Sequence, residues 1–505
     1  MPQHIKAYIV LLFLGSIAFY IIKNFYNKVN NTSNSLPIDK LFINWGIITS
    51  ALFLSQNVWV FFIIVAIVCN SISKQVPTRI AWYFFLILIA PRAETSIIGF
   101  GGIESLLNVS YASILSLFLL YPCLRFIKED RTKSLFPSLL TDKIMIIFFL
   151  YFAAHSYREF ESITLVLKEC INLLIIVILP YYTLSRGLKS HTDHRRVFSA
   201  ILVAGMIISM VNIFEFIKHW LLYSDLYDLL AVEKHGNSYF ARAGHVRARG
   251  LFNNSITCGY ILIFVLCAWS VINTTYRLNF KKIHFASLLL ILAGLYTTSS
   301  RGPWLGALLF HLVTITILNK NIFKAYKNLF LISIAMTMIL LISGQLNRII
   351  ALLPFIGEGG VDTYRTKLIE NSLIVIERNL LFGLSDRKYL ATTEMREMIQ
   401  GEGIIDVVNT YLGILLSDGL LGLTLYLSFL LLPLIKVYRL LKKYTFELEY
   451  VVIGRSLIAL VIAHLFVIGT VSSIGNIYNF TWLLIGLITS FSIVLKRNIP
   501  KRPLP

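Results

Sequence analysis

What most constrains this chain is the recurrence, from end to end, of apolar runs long enough to cross a bilayer. Inside hydrocarbon every backbone N–H and C=O must be paired within the protein, which leaves α-helices or a closed β-barrel. The runs are continuous and do not alternate with polar residues, so barrel strands are excluded. With 57% hydrophobic and only 14% charged residues among 505, the chain lacks the polar surface of a soluble body of that length. The sequence therefore predicts an all-α, polytopic integral membrane protein, a single membrane domain over 1–505 with about 12–15 spans. The first run, 7–22, reads as a retained helix because no small-residue cleavage site follows it.

The formal net charge of +20 sits in short segments between the apolar runs. A nucleic-acid partner would need basic clusters set in polar surface, so the charge is read as topology and the partner as the lipid bilayer. Basic segments fall at 125–143, 186–196, 277–282, 320–327, 436–443 and 496–502. Neighbouring ones are separated by two apolar runs, so all six, and the C-terminus with them, can face the cytoplasm. Two long loops, 218–254 and 346–405, then lie on the outer face. Connections usually run about 2–8 residues, and longer ones are functional or disordered; aromatics, leucines and mixed charge predict that these two are ordered. Near the N-terminus, 41–73 reads as a tight helical hairpin broken around Gln56 and Asn57. Cys69, Cys123, Cys170, Cys258 and Cys267 lie in or beside apolar runs without CxxC spacing and read as small hydrophobes. His219, His235 and His245 lack metal-ligand spacing, so no metal is expected.

Three constellations carry candidate chemistry. In ARAGHVRARGLFNNSITCGY (241–260), Arg242, His245, Arg247 and Arg249 precede a spanning run on the side where the topology rule disfavours cations. They read either as an interfacial cluster facing lipid phosphates or as a site for a diphosphate substrate. Arginine binds phosphate bidentately and keeps its charge in a partly buried cleft. Asn253, Asn254 and Ser255 offer caps and amides at the start of the next helix. In TSSRGPW (298–304) a very short turn holds Arg301 at the membrane boundary, with Pro303 in a first helical turn and Ser299 or Ser300 as cap. The third runs through Tyr364, Arg365, Asn371, Arg378 and Gly383 to Asp406, Asn409, Asp418, Gly419 and Gly422. Asp406 and Asn409 are expected on one face of a helix near its outer end. Asp418 is placed deeper, where Gly419 and Gly422 predict close helix packing. Glu215 and Asn212, polar residues within apolar runs, read as structural.

Four of these motifs, in order, resemble the O-antigen ligase and polymerase superfamily. They are RARGLFNNSITCGY (247–260), TTSSRGPWLGAL (297–308), the pattern YR-x5-N-x6-R-N-x-L-x-G (364–383) and VN-x9-G-x-x-G-L (408–423). The N-terminal half is similar to an exopolysaccharide polymerase-like branch, through Phe100 to Ile103, Tyr121-Pro122, and Leu179 to Tyr182 followed by Ser185-Arg186. The resemblance implies a GT-C-like membrane glycosyltransferase without metal, cofactor or nucleotide sugar, using an undecaprenyl-diphosphate-linked glycan as donor on the outer face of a bacterial inner membrane. It implies that Arg249, with Arg247 beside it, and Arg301 hold the donor diphosphate, with Arg365 as a further candidate. Its partners are the lipid-linked donor, a glycan acceptor and other polysaccharide-assembly proteins.

One departure stands out. Ligases of the family carry a histidine immediately before the residue matching Asn409, whereas this chain has Val408, which cannot take a proton. Asp406, Glu402 and His245 are the replacement candidates, in that order. The loss favours a polymerase over a lipid A-core ligase. The competing reading is a transporter or flippase for lipid-linked oligosaccharide; against it, the sequence has no two related halves, and its notable charges lie at one face rather than at the midplane.

Overall fold

The structure, a computed structural model, describes residues 1–29, 37–99, 105–129, 139–160, 162–229, 241–242, 245–275, 281–317, 359–384, 393–399, 405–472 and 476–499. Glu402, His235 and much of the second long loop lie outside the described residues. Among the described residues, seven helices are long and apolar enough to cross a membrane: Gln3–Lys23, Ile163–Gly187, His191–Lys218, Ser255–Asn273, Thr410–Lys443, Leu448–Ile468 and Ile477–Arg497. Other apolar runs fold as shorter helices, Val58–Ser71, Val76–Ile87, Tyr111–Leu120 and His284–Thr297. These fall short of the roughly 20 residues that a straight span needs, so the described helices of full spanning length are fewer than the apolar runs.

The break at Gln56-Asn57 is present. Gln56 adopts φ 48°, and Asn57 caps Val58–Ser71 by accepting from the Trp59 and Val60 amides at 2.8 and 3.3 Å. An antiparallel hairpin, Glu94–Ile98 with Ser105–Ser110, was not expected from the continuous apolar reading. Its two strands pair their backbone groups with each other, the same requirement that helices meet elsewhere.

His191–Lys218 is the central helix, 83% buried over its most apolar stretch, and packs against Val76–Ile87, Ser255–Thr275 and Lys281–Thr297. Gly294 lets Lys281–Thr297 approach so closely that a Cβ there would lie 2.8 Å from the Ser209 backbone. At the end of the bundle that carries Asp142, its carboxylate, fully buried, receives the Arg186 guanidinium, the Tyr181 hydroxyl at 2.8 Å and the Leu139 amide at 3.0 Å. Arg186 also lies over the Tyr182 ring at 4.6 Å. The Leu179 to Arg186 motif therefore fastens Leu140–Phe160 to its neighbour through a buried ion pair, and removing one partner of such a pair is strongly destabilising.

The long helix Thr410–Lys443 is interrupted at Gly419, with φ 63° and ψ −167°. A straight helix would have Leu420 N–H donate to Leu416 C=O. Here Leu416 C=O accepts from Leu384 N–H at 2.8 Å, Leu420 N–H donates to Leu380 C=O at 2.8 Å, and Leu421 N–H to Leu381 C=O at 3.3 Å. The turn 380–384 thus supplies the partners that the break removes, which is how irregular backbone survives at membrane depth. Gly383, at φ 64°, faces Gly419 across this crossing, and a Cβ on either would strike the opposing backbone. The conformation of Gly419 is essentially glycine-only and costs other residues about 1–3 kcal/mol before the clash is counted. Gly419→Ala is expected to lower the melting temperature of the detergent-extracted protein clearly. Gly413→Ala, whose Cβ would meet only Val407 at 3.9 Å, is expected to leave it nearly unchanged.

Candidate functional site

Glu215, near the C-terminal end of the central helix, is fully buried. The helix stops at His219, at φ 51°, and the chain turns back over it. Glu215 then accepts three backbone hydrogen bonds: from Leu222 N–H on Oε1 at 3.0 Å, and from Arg249 and Gly250 N–H on Oε2 at 3.1 and 2.9 Å. Bonds to an ionised acceptor are the strong ones, and a buried carboxylate without them would be prohibitively costly. Glu215 is therefore structural, as the sequence suggested, but what it positions is the arginine motif.

Arg249 is buried and donates from Nη1 to Asn253 Oδ1 at 3.3 Å. Asn253 takes the left-handed conformation, and Asn254 caps Ser255–Thr275 by accepting from Ile256 and Thr257 N–H at 2.8 and 3.3 Å. The motif is also docked onto the 297–300 turn. Ala248 N–H donates to Thr297 C=O at 3.0 Å, and Arg247 donates to Thr298 C=O at 3.4 Å and to Ser300 Oγ at 3.0 Å. Ser300 stands at the cap position of Arg301–Thr316 but makes no side-chain cap bond, because its hydroxyl serves Arg247 and Thr298 instead. Arg301 opens that helix, half-buried. The next residue, Gly302, lies against Thr470, where a Cβ would come within 2.7 Å of Oγ1.

The adjoining carbonyl of Val471 accepts from both Thr410 N–H, at 3.0 Å, and Thr410 Oγ1, at 2.9 Å. The start of the broken helix is thereby seated beside the Arg301 helix start. Asn409 is the helix cap, with Oδ1 accepting from Tyr411 and Leu412 N–H at 2.9 and 3.3 Å. Asp406 is not on that helix: residues 405–409 are non-helical, so the expected shared face with Asn409 does not exist. A capping asparagine needs extended backbone, and this ends the helix where it stands. Asp406 is half-buried, and its carbonyl accepts the Tyr364 hydroxyl at 3.0 Å.

Tyr364 belongs to the helix Gly359–Arg378 of the second long loop. That helix is held by Asn371 Nδ2 donating to Glu394 C=O at 2.9 Å and by an Arg378–Glu394 ion pair at 2.6 Å. Its apolar side, with Leu368 and Val375, joins Met395, Met398 and Leu416 in a small core of its own. The structure thus joins the first two motifs directly, the second to the fourth through Thr470-Val471, and the third to the fourth through Tyr364 and the 380–384 turn. Two candidates stay apart. Arg365 is exposed, and His245 is exposed and stacked between Phe216 and His219 at ring separations of 5.2 and 5.7 Å.

A second polar group escaped the sequence reading. Tyr151 donates to the Asp418 carbonyl, His155 Nδ1 lies 3.7 Å from Asp418 Oδ1, and His155 Nε2 meets Phe382 C=O at 3.2 Å. Arg158 reaches the Phe382 and Gly383 carbonyls at 3.5 Å. The signal was available as His155 and Arg158, three apart at one helix end, but nothing in the sequence tied them to residue 418.

Residues 286–427 match the family described as O-antigen ligase. The match takes in the Arg301 turn, the Gly359–Arg378 helix and the Gly419 break, and it supports placing the chain in the O-antigen ligase superfamily, among membrane enzymes of ligase or polymerase type. A comparison with curated proteins gives no match. The Arg247–Arg249 motif lies outside the matched span and is joined to it by the hydrogen bonds above.

Glu215→Leu is expected to cost on the order of 3 kcal/mol or more, because buried amides lose a charged acceptor. Glu215→Gln should keep part of the network. Thermal melts of the two purified variants check this, with Leu melting well below Gln and Gln below wild type.

Proposed function

We propose that the chain is a membrane glycosyltransferase acting on undecaprenyl-diphosphate-linked oligosaccharide repeats at the outer face of the inner membrane, with its C-terminus cytoplasmic. Transfer to a growing glycan is favoured over transfer to lipid A-core. The observation that carries the reading is the docking of the Arg247-Ala248-Arg249 segment on the 297–300 turn. Arg249 and Arg301 thereby project from one hydrogen-bonded backbone unit, and the neighbouring helix start at Asn409 closes on it through Val471.

Breaking the bond between the anomeric carbon and the diphosphate oxygen leaves negative charge on the lipid diphosphate. Guanidinium groups held in place before the reaction stabilise that charge more in the transition state than in the ground state. An acceptor hydroxyl forms the new bond from the opposite face, which gives inversion, and its proton passes to a base. Asp406 is the base candidate we favour, since it sits in the non-helical approach to Asn409, while His245 is engaged with Phe216 and His219. Arg247 steadies the motif through the 297–300 turn. Arg365, exposed on the loop helix, is assigned to a later contact with the donor headgroup.

The break at Gly419 favours a transporter, since such folds use discontinuous helices. Here, however, the 380–384 turn occupies the break and pairs Leu416 C=O and the Leu420 and Leu421 amides.

In cells, Arg301→Ala and Arg249→Ala are each expected to cut polymer output by about 100-fold or more. Gels of chain length, run beside an assay of the lipid-linked single repeat, check this. Single repeats accumulating on the outer face fit the proposal. Unchanged polymer from both variants overturns the site, and repeats trapped on the cytoplasmic face make the protein a transporter.

A further inference from the structure

Beside the hairpin of Glu94–Ile98 and Ser105–Ser110 lies a cavity of about 430 Å³, none of whose lining residues belongs to the arginine site. Ligand pockets for small molecules span about 300–1,000 Å³. Its polar lining includes Arg92, Glu94, Glu169, Asn172, Tyr478 and Asn479. Three parts of the fold supply its charged and amide groups. The hairpin Glu94–Ile98 with Ser105–Ser110 forms one wall and is fastened by Lys168 Nζ donating to Ser105 Oγ at 2.6 Å. The helix carrying Glu169 and Asn172 forms the second and contains a π-turn at Leu174–Ile178, whose Ile176 and Val177 face the cavity. Such bulges are frequent at functional sites. The N-terminal turn of the last helix brings Tyr478 and Asn479.

The chemistry of this lining is specific. Arg92 is paired with Glu94 at 2.9 Å, so the named lining holds two carboxylates against one guanidinium and carries no surplus cation for a phosphate. Carboxylates and side-chain amides suit hydroxyl groups, which donate to the former and both donate to and accept from the latter. Phe152 and Tyr478 add aromatic surface for apolar C–H faces. The last helix, which brings Tyr478 and Asn479, packs against Thr410–Lys443, the helix whose start is seated beside that of Arg301.

We infer that this cavity holds the acceptor glycan as an uncharged oligosaccharide, its hydroxyls bound by Glu94, Glu169, Asn172 and Asn479 and a ring face laid on Tyr478. This rests on the glycosyltransferase reading and adds to it the class of acceptor and the place where it sits.

The test uses the full-length protein in nanodiscs. The probe is a tritiated oligosaccharide, released by mild acid from the lipid-linked repeats of the host's own membranes, with undecaprenyl phosphate as competitor. Saturable sugar binding is expected, weakened 10-fold or more by Glu169→Gln and by Asn172→Leu, unchanged by Arg301→Ala, and not displaced by undecaprenyl phosphate. Glu169→Gln is nearly isosteric, and its melting temperature is measured alongside, so weakened binding in a normally melting variant reports on the cavity. Sugar binding indifferent to both cavity variants, or no sugar binding at all, overturns the inference. Displacement by undecaprenyl phosphate that is lost in the cavity variants overturns it too, and makes the cavity a lipid site. The binding assay needs no turnover, so its failure is separable from failure of the polymer assay with Arg301→Ala.

Discussion

A single buried carboxylate sets the geometry on which the rest of the site depends. Glu215 ends the central helix with its oxygens facing inward, where only hydrogen-bond donors can make a bare carboxylate tolerable. The donors are the main-chain amides of Leu222, Arg249 and Gly250, so the acid fixes backbone rather than pairing with one side chain. Backbone fixed at residue 249 in turn fixes Arg247, whose guanidinium reaches the 297–300 turn. An arginine cluster at a bilayer boundary would otherwise spread toward lipid phosphates. Here Glu215 accepts from the Arg249 amide, Ser300 accepts from Arg247, and the Arg249 side chain is buried.

Much of this architecture was legible in the sequence, and the reasons differ from element to element. Apolar runs announce helices because hydrocarbon allows little else, and the break at Gln56-Asn57 was readable because asparagine caps and positive φ are local chemistry. The hairpin at 94–110 was not readable, since an apolar run of strand length is equally a piece of helix. Asn409 turned out to be a helix cap, and its expected pairing with Asp406 failed. Spacing of three implies a shared face only inside a helix, and the cap itself forbids helix on its N-terminal side. The arginines were found through their conflict with the charge rule. The contacts that hold Arg247 and Arg249 span 34 to 53 residues, which no local pattern encodes.

The His155–Asp418 group and the cavity beyond it show the same limit from another direction. Apart from Asp418, each of their residues is unremarkable in its own segment. Together they mark where the ends of several helices and one hairpin meet, and a meeting of that kind is a property of the tertiary fold alone. Sequence reasoning reached the family through motifs that touch one another; it missed residues that belong to no motif yet surround the same end of the bundle.

The crossing at Gly419 also bears on how the protein is made. Residues 380–384 provide the hydrogen-bond partners that Thr410–Lys443 lacks at its interruption. They precede that helix in the chain and so leave the ribosome first. The helix enters the bilayer to find its missing partners already synthesised, and the order of translation matches the order in which the backbone needs them. A rearrangement that moved the 410–443 segment ahead of the loop would expose unpaired peptide groups to lipid during insertion, a failure of biogenesis rather than of the finished fold.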